Sequence, residues 1–313
     1  MNASTTRGNN RSSIVKRAVI GLFALALVSG ITFAVWMARS EGIKLVHPQR
    51  QVSAETPADW PQLAGWEDLR LQTADGLELA AWYVPPEADS GGAALIFVHG
   101  LGGNRGNLLP QAAFLAAEGY GALLLDLRNH GISEGEITTL GYYEVEDIKS
   151  AVAFLLSRPE VEADRIGLIG QSMGGATVLR AAARIPEVSV VVAESAFTSI
   201  EDNVANGVRE LTGLPPFPFA PLVIYFSQQE ADVAIELVRP IDDIPQISPR
   251  PILFIHGALD ILVPVENSQR MYEAATGPKD LYIIDEAGHN PIYEVEPEIF
   301  EQRMIAFLDS YLR

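Results

Sequence analysis

The sequence predicts an α/β domain: a mostly parallel, doubly wound sheet that carries a small helical cap and is preceded by one N-terminal transmembrane helix. Three observations predict it. Short apolar runs such as ALIFV at 94–98 and ILFI at 252–255 alternate with longer stretches of helical spacing, and a strand that is apolar at every position has both faces covered, as in a parallel sheet. About 55 residues between Glu194 and Pro251 contain no clear strand, far more than an ordinary connection. Residues Ala18 to Ala38 form a run of 21 without a charge, and a helix needs only ~20 apolar residues to cross a bilayer.

Arg7, Arg11, Lys16 and Arg17 precede the apolar run with no acidic residue among them, whereas Arg39, Glu41 and Lys44 follow it nearly balanced. Basic flanks stay in the cytoplasm, so residues 1–17 read as a cytoplasmic tail and 18–38 as a signal anchor, with the remainder outside the cytoplasm. The run exceeds the ordinary apolar length of a cleaved signal, and its far end, Val35-Trp36-Met37-Ala38, is a poor cleavage site, which favours an uncleaved anchor. Residues 39–66, with Pro48, Pro57 and Pro61 and little apolar periodicity, read as a stem.

The domain then occupies residues 67–313. Leu69–Gln72 and Leu77–Val84 flank Asp75-Gly76, a hairpin signal. Strands are expected at Ala94–His99, Gly121–Asp126, Arg165–Ile169, Val188–Glu194, Pro251–Ile255 and Leu281–Ile284. Helical spacing marks Leu108–Glu118, Tyr143–Leu156, Gly174–Arg184, Val265–Ala275 and Glu296–Leu312. The long interval, about residues 196–250, is expected to form the cap.

Past residue 44 the chain holds 16 basic and 39 acidic residues, a balance of −23. Such a domain repels nucleic acid phosphates and anionic headgroups, so no nucleic acid partner is expected. Cysteine is absent, and thiols therefore say nothing of the redox compartment.

Two stretches read G-x-S-x-G: GISEG at 131–135 and GQSMG at 170–174. A nucleophile elbow needs a strand ending directly before the serine and a helix starting directly after it. RIGLI, GQSMGG and ATVLRAAAR meet that order around Ser172, with small residues where a helix would crowd the sheet. Around Ser133 the strand ends near Asp126, and EITTLGYY follows instead of a helix start. Glu134 would also bring a carboxylate to the place where an oxyanion develops. Ser172 is the candidate nucleophile.

A serine hydroxyl needs a base, usually histidine. His47 lies in the stem, His99 and His256 end buried strands, and His130 lies in the loop of Ser133. His289, in DEAGHN between the last strand and the C-terminal helix, can be carried back over the sheet edge. Asp260, after the strand ILFI, is the favoured acid, and Glu194 at the end of the preceding strand is its competitor. Oxyanion donors would be the backbone N–H of Met173 and, from the loop HGLGGNRGN, that of Leu101.

LIFVHGLGGN, LLLDLRNHGISEG, DRIGLIGQSMGG, PILFIHGALDILVP and EAGHN occur in this order, and over about residues 67–313 the chain resembles the α/β-hydrolase superfamily. It looks most like small bacterial serine hydrolases near the acylaminoacyl-peptidase, serine aminopeptidase and dienelactone hydrolase families. The resemblance implies the α/β-hydrolase fold, a Ser172, Asp260, His289 triad and an oxyanion hole at Leu101 and Met173. Dienelactone hydrolases proper use a cysteine nucleophile, which this chain lacks.

Together these readings imply a membrane-anchored serine hydrolase acting on small-molecule esters or other acyl substrates, with no organic cofactor and no metal. A peptidase or thioesterase of the same fold is the first alternative, and a non-catalytic binding protein on this scaffold the second.

Overall fold

The computed structural model describes residues 6–88 and 90–313, with side chains from Ile14 onward. Of the expected cytoplasmic tail, residues 1–5 lie outside the described residues. A helix α1, Thr6–Val46, comes first. It is followed by β1 (Glu67–Gln72), β2 (Glu78–Val84), β3 (Ala94–Val98), α2 (Leu109–Ala117), β4 (Gly121–Leu125) and α3 (Glu144–Leu156). Next come β5 (Ile166–Gln171), α4 (Met173–Ala182), β6 (Val188–Glu194), α5 (Ile200–Thr212), α6 (Pro216–Ala231) and α7 (Pro240–Ile247). The chain closes with β7 (Ile252–Gly257), α8 (Glu266–Ala274), β8 (Lys279–Ile284) and α9 (Pro297–Leu312). The expected strands and helices of the sheet region all form, with ends shifted by at most two residues.

Eight strands make one sheet in the order β1-β2-β4-β3-β5-β6-β7-β8. β2 runs antiparallel to both its neighbours, and all other pairs are parallel. β3 and β4 are buried at every position, as strands covered on both faces must be. One apolar core joins the sheet to α3, α4, α7 and α8, and the other joins it to α2 and α9.

The segment expected as a stem differs from that expectation. α1 does not stop at the end of the apolar run but continues to Val46, and Ala38, Gly42 and Val46 are buried. Their spacing of four puts them on one helix face. That face meets α6, where the Ser227 hydroxyl donates to the Gly42 carbonyl at 3.0 Å. A Cβ at Gly42 would stand 2.7 Å from the Val223 carbonyl oxygen. The helix ends just before Pro48, because a residue preceding proline is biased out of helical conformation. Beyond it, Arg50 donates to the Ser133 carbonyl, so this segment is docked on the domain.

The long insertion divides into two parts. α5 and α6 stand over the end of the sheet as a cap, while α7 returns to the sheet's helical layer and is tied to α4 by Arg180 Nε donating to Asp243 Oδ2 at 3.2 Å.

β5 and α4 meet at an angle only small residues permit. A Cβ at Gly174 would lie 2.1 Å from the Val98 carbonyl oxygen, and one at Gly170 2.4 Å from that of Gly174. Gly174→Ala should therefore force the helix off the sheet, destabilising the fold by about 1–3 kcal/mol. A lowered Tm by circular dichroism checks it, and an unchanged Tm would mean that the helix has room to shift.

Candidate active site

Ser172 sits in the single-residue turn between β5 and α4 with φ of 56° and ψ of −117°, a region non-glycine residues rarely occupy. Its N–H donates to the Glu194 carbonyl at 2.8 Å, which holds the turn to the end of β6. The hydroxyl is thereby lifted clear of the sheet edge, where it lines a cavity of about 570 Å³. A second cavity, of about 650 Å³ and lined by Asp75, Tyr143 and Arg180, lies away from Ser172.

The structure brings Ser172, His289 and Asp260 into one hydrogen-bonded chain. His289 Nε2 is 2.9 Å from Ser172 Oγ, and His289 Nδ1 is 2.7 Å from Asp260 Oδ2. β7 ends at Gly257, placing Asp260 in the turn beyond it, and β8 ends at Ile284, placing His289 in the next turn along the same edge. Asp260 Oδ1 accepts from the N–H groups of Leu262 and Val263 at 2.9 and 2.8 Å. Burial opposes its ionisation, but the hydrogen bonds from His256 and His289 and the attraction of His289 outweigh that cost and hold the carboxyl below its ordinary range. An ionised Asp260 can only accept, so the proton on His289 lies on Nδ1 and Nε2 keeps a lone pair toward Ser172.

The competing acid is elsewhere. Glu194 is fully buried, and its Oε2 accepts from Gln111 Nε2 at 3.1 Å. Its Oε1, the Gln111 Oε1 and the Ser195 hydroxyl have no partner among the described residues. Burial pushes the Glu194 carboxyl up to about 8 against the opposing Gln111 hydrogen bond, so it is a neutral acid at pH 7. Ser133 is buried as a loop pin: its hydroxyl donates to the Asp126 carbonyl at 2.6 Å and accepts from the Ala80 N–H at 2.8 Å.

Leu101 and Met173 both border the cavity beside Ser172. Among the described residues neither N–H donates to a protein acceptor. Met173 is the first residue of α4, so its N–H is one of the donors a helix leaves free and lies at the positive end of the helix dipole.

Two histidines have parts that motif spacing did not reveal. His256 Nε2 donates to the Val263 carbonyl at 2.7 Å and also lies 3.3 Å from Asp260 Oδ2, the oxygen that His289 Nδ1 contacts. His130 Nε2 accepts from the Gly102 N–H at 3.0 Å, which steadies the loop that carries Leu101. Beside it His99 accepts from the Leu127 N–H at 3.1 Å, and burial, helped by His130, pushes it down to about 3. The His130 and His99 contacts join residues 28 apart, which no local signal could have shown, whereas His256 lies only four residues before Asp260.

A family model described as the alpha/beta hydrolase fold matches residues 93–222. The chain is 30% identical to the Pyrococcus furiosus esterase Pf2001, whose structure superposes with a TM-score of 0.71 over 86% of this chain and 100% of that one. The chain belongs to the α/β-hydrolase superfamily. Among other relatives of this hydrolase, the uncharacterized protein YqkD of Bacillus subtilis is 29% identical over 242 residues, 77% of this chain and 78% of the relative. The uncharacterized protein Rv2307c of Mycobacterium tuberculosis is 26% identical over 295 residues, 94% of this chain and 93% of the relative. Among the described residues of the hydrolase no group of three or more His, Asp or Glu side chains is arranged to hold a metal ion.

Glu194 generates a stability test. With a native carboxyl pKa of about 8 against ~4.3 in the unfolded chain, native protein keeps between those values a proton that unfolded protein releases. Its contribution to stability is full below the lower value and declines as pH rises, by up to about 1.4 kcal/mol per unit. Glu194→Gln cannot titrate, so its Tm relative to the parent should rise from pH 5 to pH 8. A difference independent of pH would show that Glu194 is already ionised in the native state.

Proposed function

We propose that this hydrolase is a membrane-anchored serine hydrolase that cleaves carboxylic esters through an acyl-enzyme. The observation that carries the reading is the unbroken chain from Ser172 Oγ through both ring nitrogens of His289 to Asp260. The 30% identity to a whole archaeal esterase supports the choice of ester over other acyl bonds.

In this reading Ser172 Oγ attacks the ester carbonyl carbon while its proton passes to His289 Nε2, and Asp260 stabilises the imidazolium that forms. The carbonyl electron pair moves onto oxygen, where the free N–H groups of Leu101 and Met173 receive the charge. Such fixed donors act most strongly out of water and need no reorganisation. The tetrahedral adduct collapses, the C–O bond to the alcohol breaks, and His289 returns the proton to the departing oxygen. Water then repeats the cycle on the acyl-Ser172 ester, releasing the carboxylic acid and free Ser172. His256 contacts the same Asp260 oxygen as His289 and positions the acid.

Anchoring rests on α1, whose segment Ile14–Val46 contains an 18-residue stretch of mean hydropathy 2.4. The four basic residues before the apolar run favour a cytoplasmic N-terminus and a hydrolase domain outside the cytoplasm. The proposed organisation keeps the tail at 1–17, the span at 18–38 and the hydrolase domain at 67–313.

Ser172→Ala should lower kcat by roughly 10⁶-fold and abolish fluorophosphonate labelling, whereas Ser133→Ala should keep reacting with the probe. Turnover retained by the Ser172 variant would sink the assignment. Asp260→Asn should cost roughly 10⁴-fold, since the amide favours the wrong imidazole tautomer and cannot stabilise its cation; ester hydrolysis followed from pH 6 to 9 checks that the loss persists at high pH. A fluorescent reporter that matures only in the cytoplasm should stay dark when fused after Arg313, and a bright fusion would reverse the orientation.

A further inference from the structure

The cavity at Ser172 is walled on one side by the anchor helix itself. Glu41, Lys44 and Leu45 of α1 border it, as do Val204, Val208 and Leu211 of α5. The three α5 residues, with Gly207, stand at i, i+3, i+4 and i+7, so one face of α5 lines the cavity along its length. From Ile200 to Leu211 that face extends about 16 Å, long enough for a fatty acyl chain and far longer than an acetyl group needs. Gly207 sits inside the helix, where glycine weakens it, and a Cβ placed there would meet nothing within 4 Å. A larger side chain would project into the channel.

The channel runs toward the bilayer. α1 and α6 are parallel neighbours, since Gly42 meets Ser227 and His47 Nε2 lies 3.1 Å from Glu230 Oε1, offsets of 185 and 183 residues. Because both helices rise equally per residue, carrying that register back to Phe219, just after the break in α6 at Phe217, places it level with about residues 34–36, with Phe217 lying beyond it. Those residues belong to the uncharged span. Phe217 is 79% exposed and Leu211, at the far end of the α5 face, 73%. The cap tip between α5 and α6, GLPPFPF at 213–219, carries no charge. Apolar surface exposed at that depth is matched to hydrocarbon.

Resting on the proposed Ser172 ester chemistry and on the proposed anchor, we infer that the substrate is a long-chain fatty acyl ester resident in the bilayer. It reaches Ser172 laterally past the cap tip, with its acyl tail along the Val204, Val208, Leu211 face of α5. The acidic domain repels anionic headgroups, so a zwitterionic or uncharged lipid ester fits best.

The full chain is reconstituted in phosphatidylcholine vesicles and supplied with 4-nitrophenyl palmitate in the same vesicles, or with the water-soluble butyrate ester. The palmitate ester should be turned over, and at least tenfold faster from the protein's own vesicles than from a separate population. Gly207→Leu, which replaces a weak helix former by a strong one, should lower the palmitate-to-butyrate ratio of kcat/KM at least tenfold. A ratio unchanged within twofold overturns the channel, and equal rates from the separate vesicles overturn lateral access. Butyrate turnover with no palmitate turnover overturns the inference alone. No turnover of either ester and no fluorophosphonate labelling overturns the ester reading with it.

Discussion

The close approach of β5 and α4 around Ser172 is the constraint on which the rest of this site depends. Backbone must pass within contact distance of backbone there, which the missing side chains of Gly170 and Gly174 allow. Ser172 takes the positive φ that the tight turn demands, and its N–H is tied to the Glu194 carbonyl. Strain of that kind persists only where its surroundings over-determine it. From this one geometry follow the exposed hydroxyl and the helix N-terminus behind it. The parallel sheet then supplies the rest, because β7 and β8 end at the same edge and deliver Asp260 and His289 in adjacent turns.

Two buried carboxyl groups near the triad differ in their charge. Asp260 is ionised because four donors converge on it, whereas Glu194, more deeply buried and with one donor, keeps its proton. The contrast is one of hydrogen-bond supply as well as burial. His99 and His130 are both held below the ordinary histidine range by burial, and in neutral form each has one nitrogen free to accept a backbone N–H. Protonating either would cost the loop that carries Leu101 one of its ties.

The cap and α1 are one structure. Small residues on α1 let α6 come close, and the last turns of α1 consequently form a wall of the cavity. Under the proposed anchoring, a helix continuous from the apolar run to the cap would hold the cavity at a fixed height, where a flexible stem would leave the domain free to tumble above the membrane.

The sequence by itself determined the sheet, its flanking helices and the choice of Ser172 and His289. Apolar runs without alternation identify strands covered on both faces, and strand-turn-helix order around GQSMG separates Ser172 from Ser133, because these are local patterns set by backbone period and by side-chain volume. It favoured Asp260 but left Glu194 as a competitor, since one follows and the other ends neighbouring strands. Only the register of β6, β7 and β8 turns one acid toward His289 and the other toward Gln111. The second histidine on Asp260 and the His130 tie to Gly102 were equally hidden. Residues 39–46 read as stem because their charges obscured the one face, Ala38, Gly42 and Val46, that finds α6. Packing between segments some 185 residues apart has no signature in either segment alone, and such contacts decide which face of a helix is buried and what a cavity is lined with.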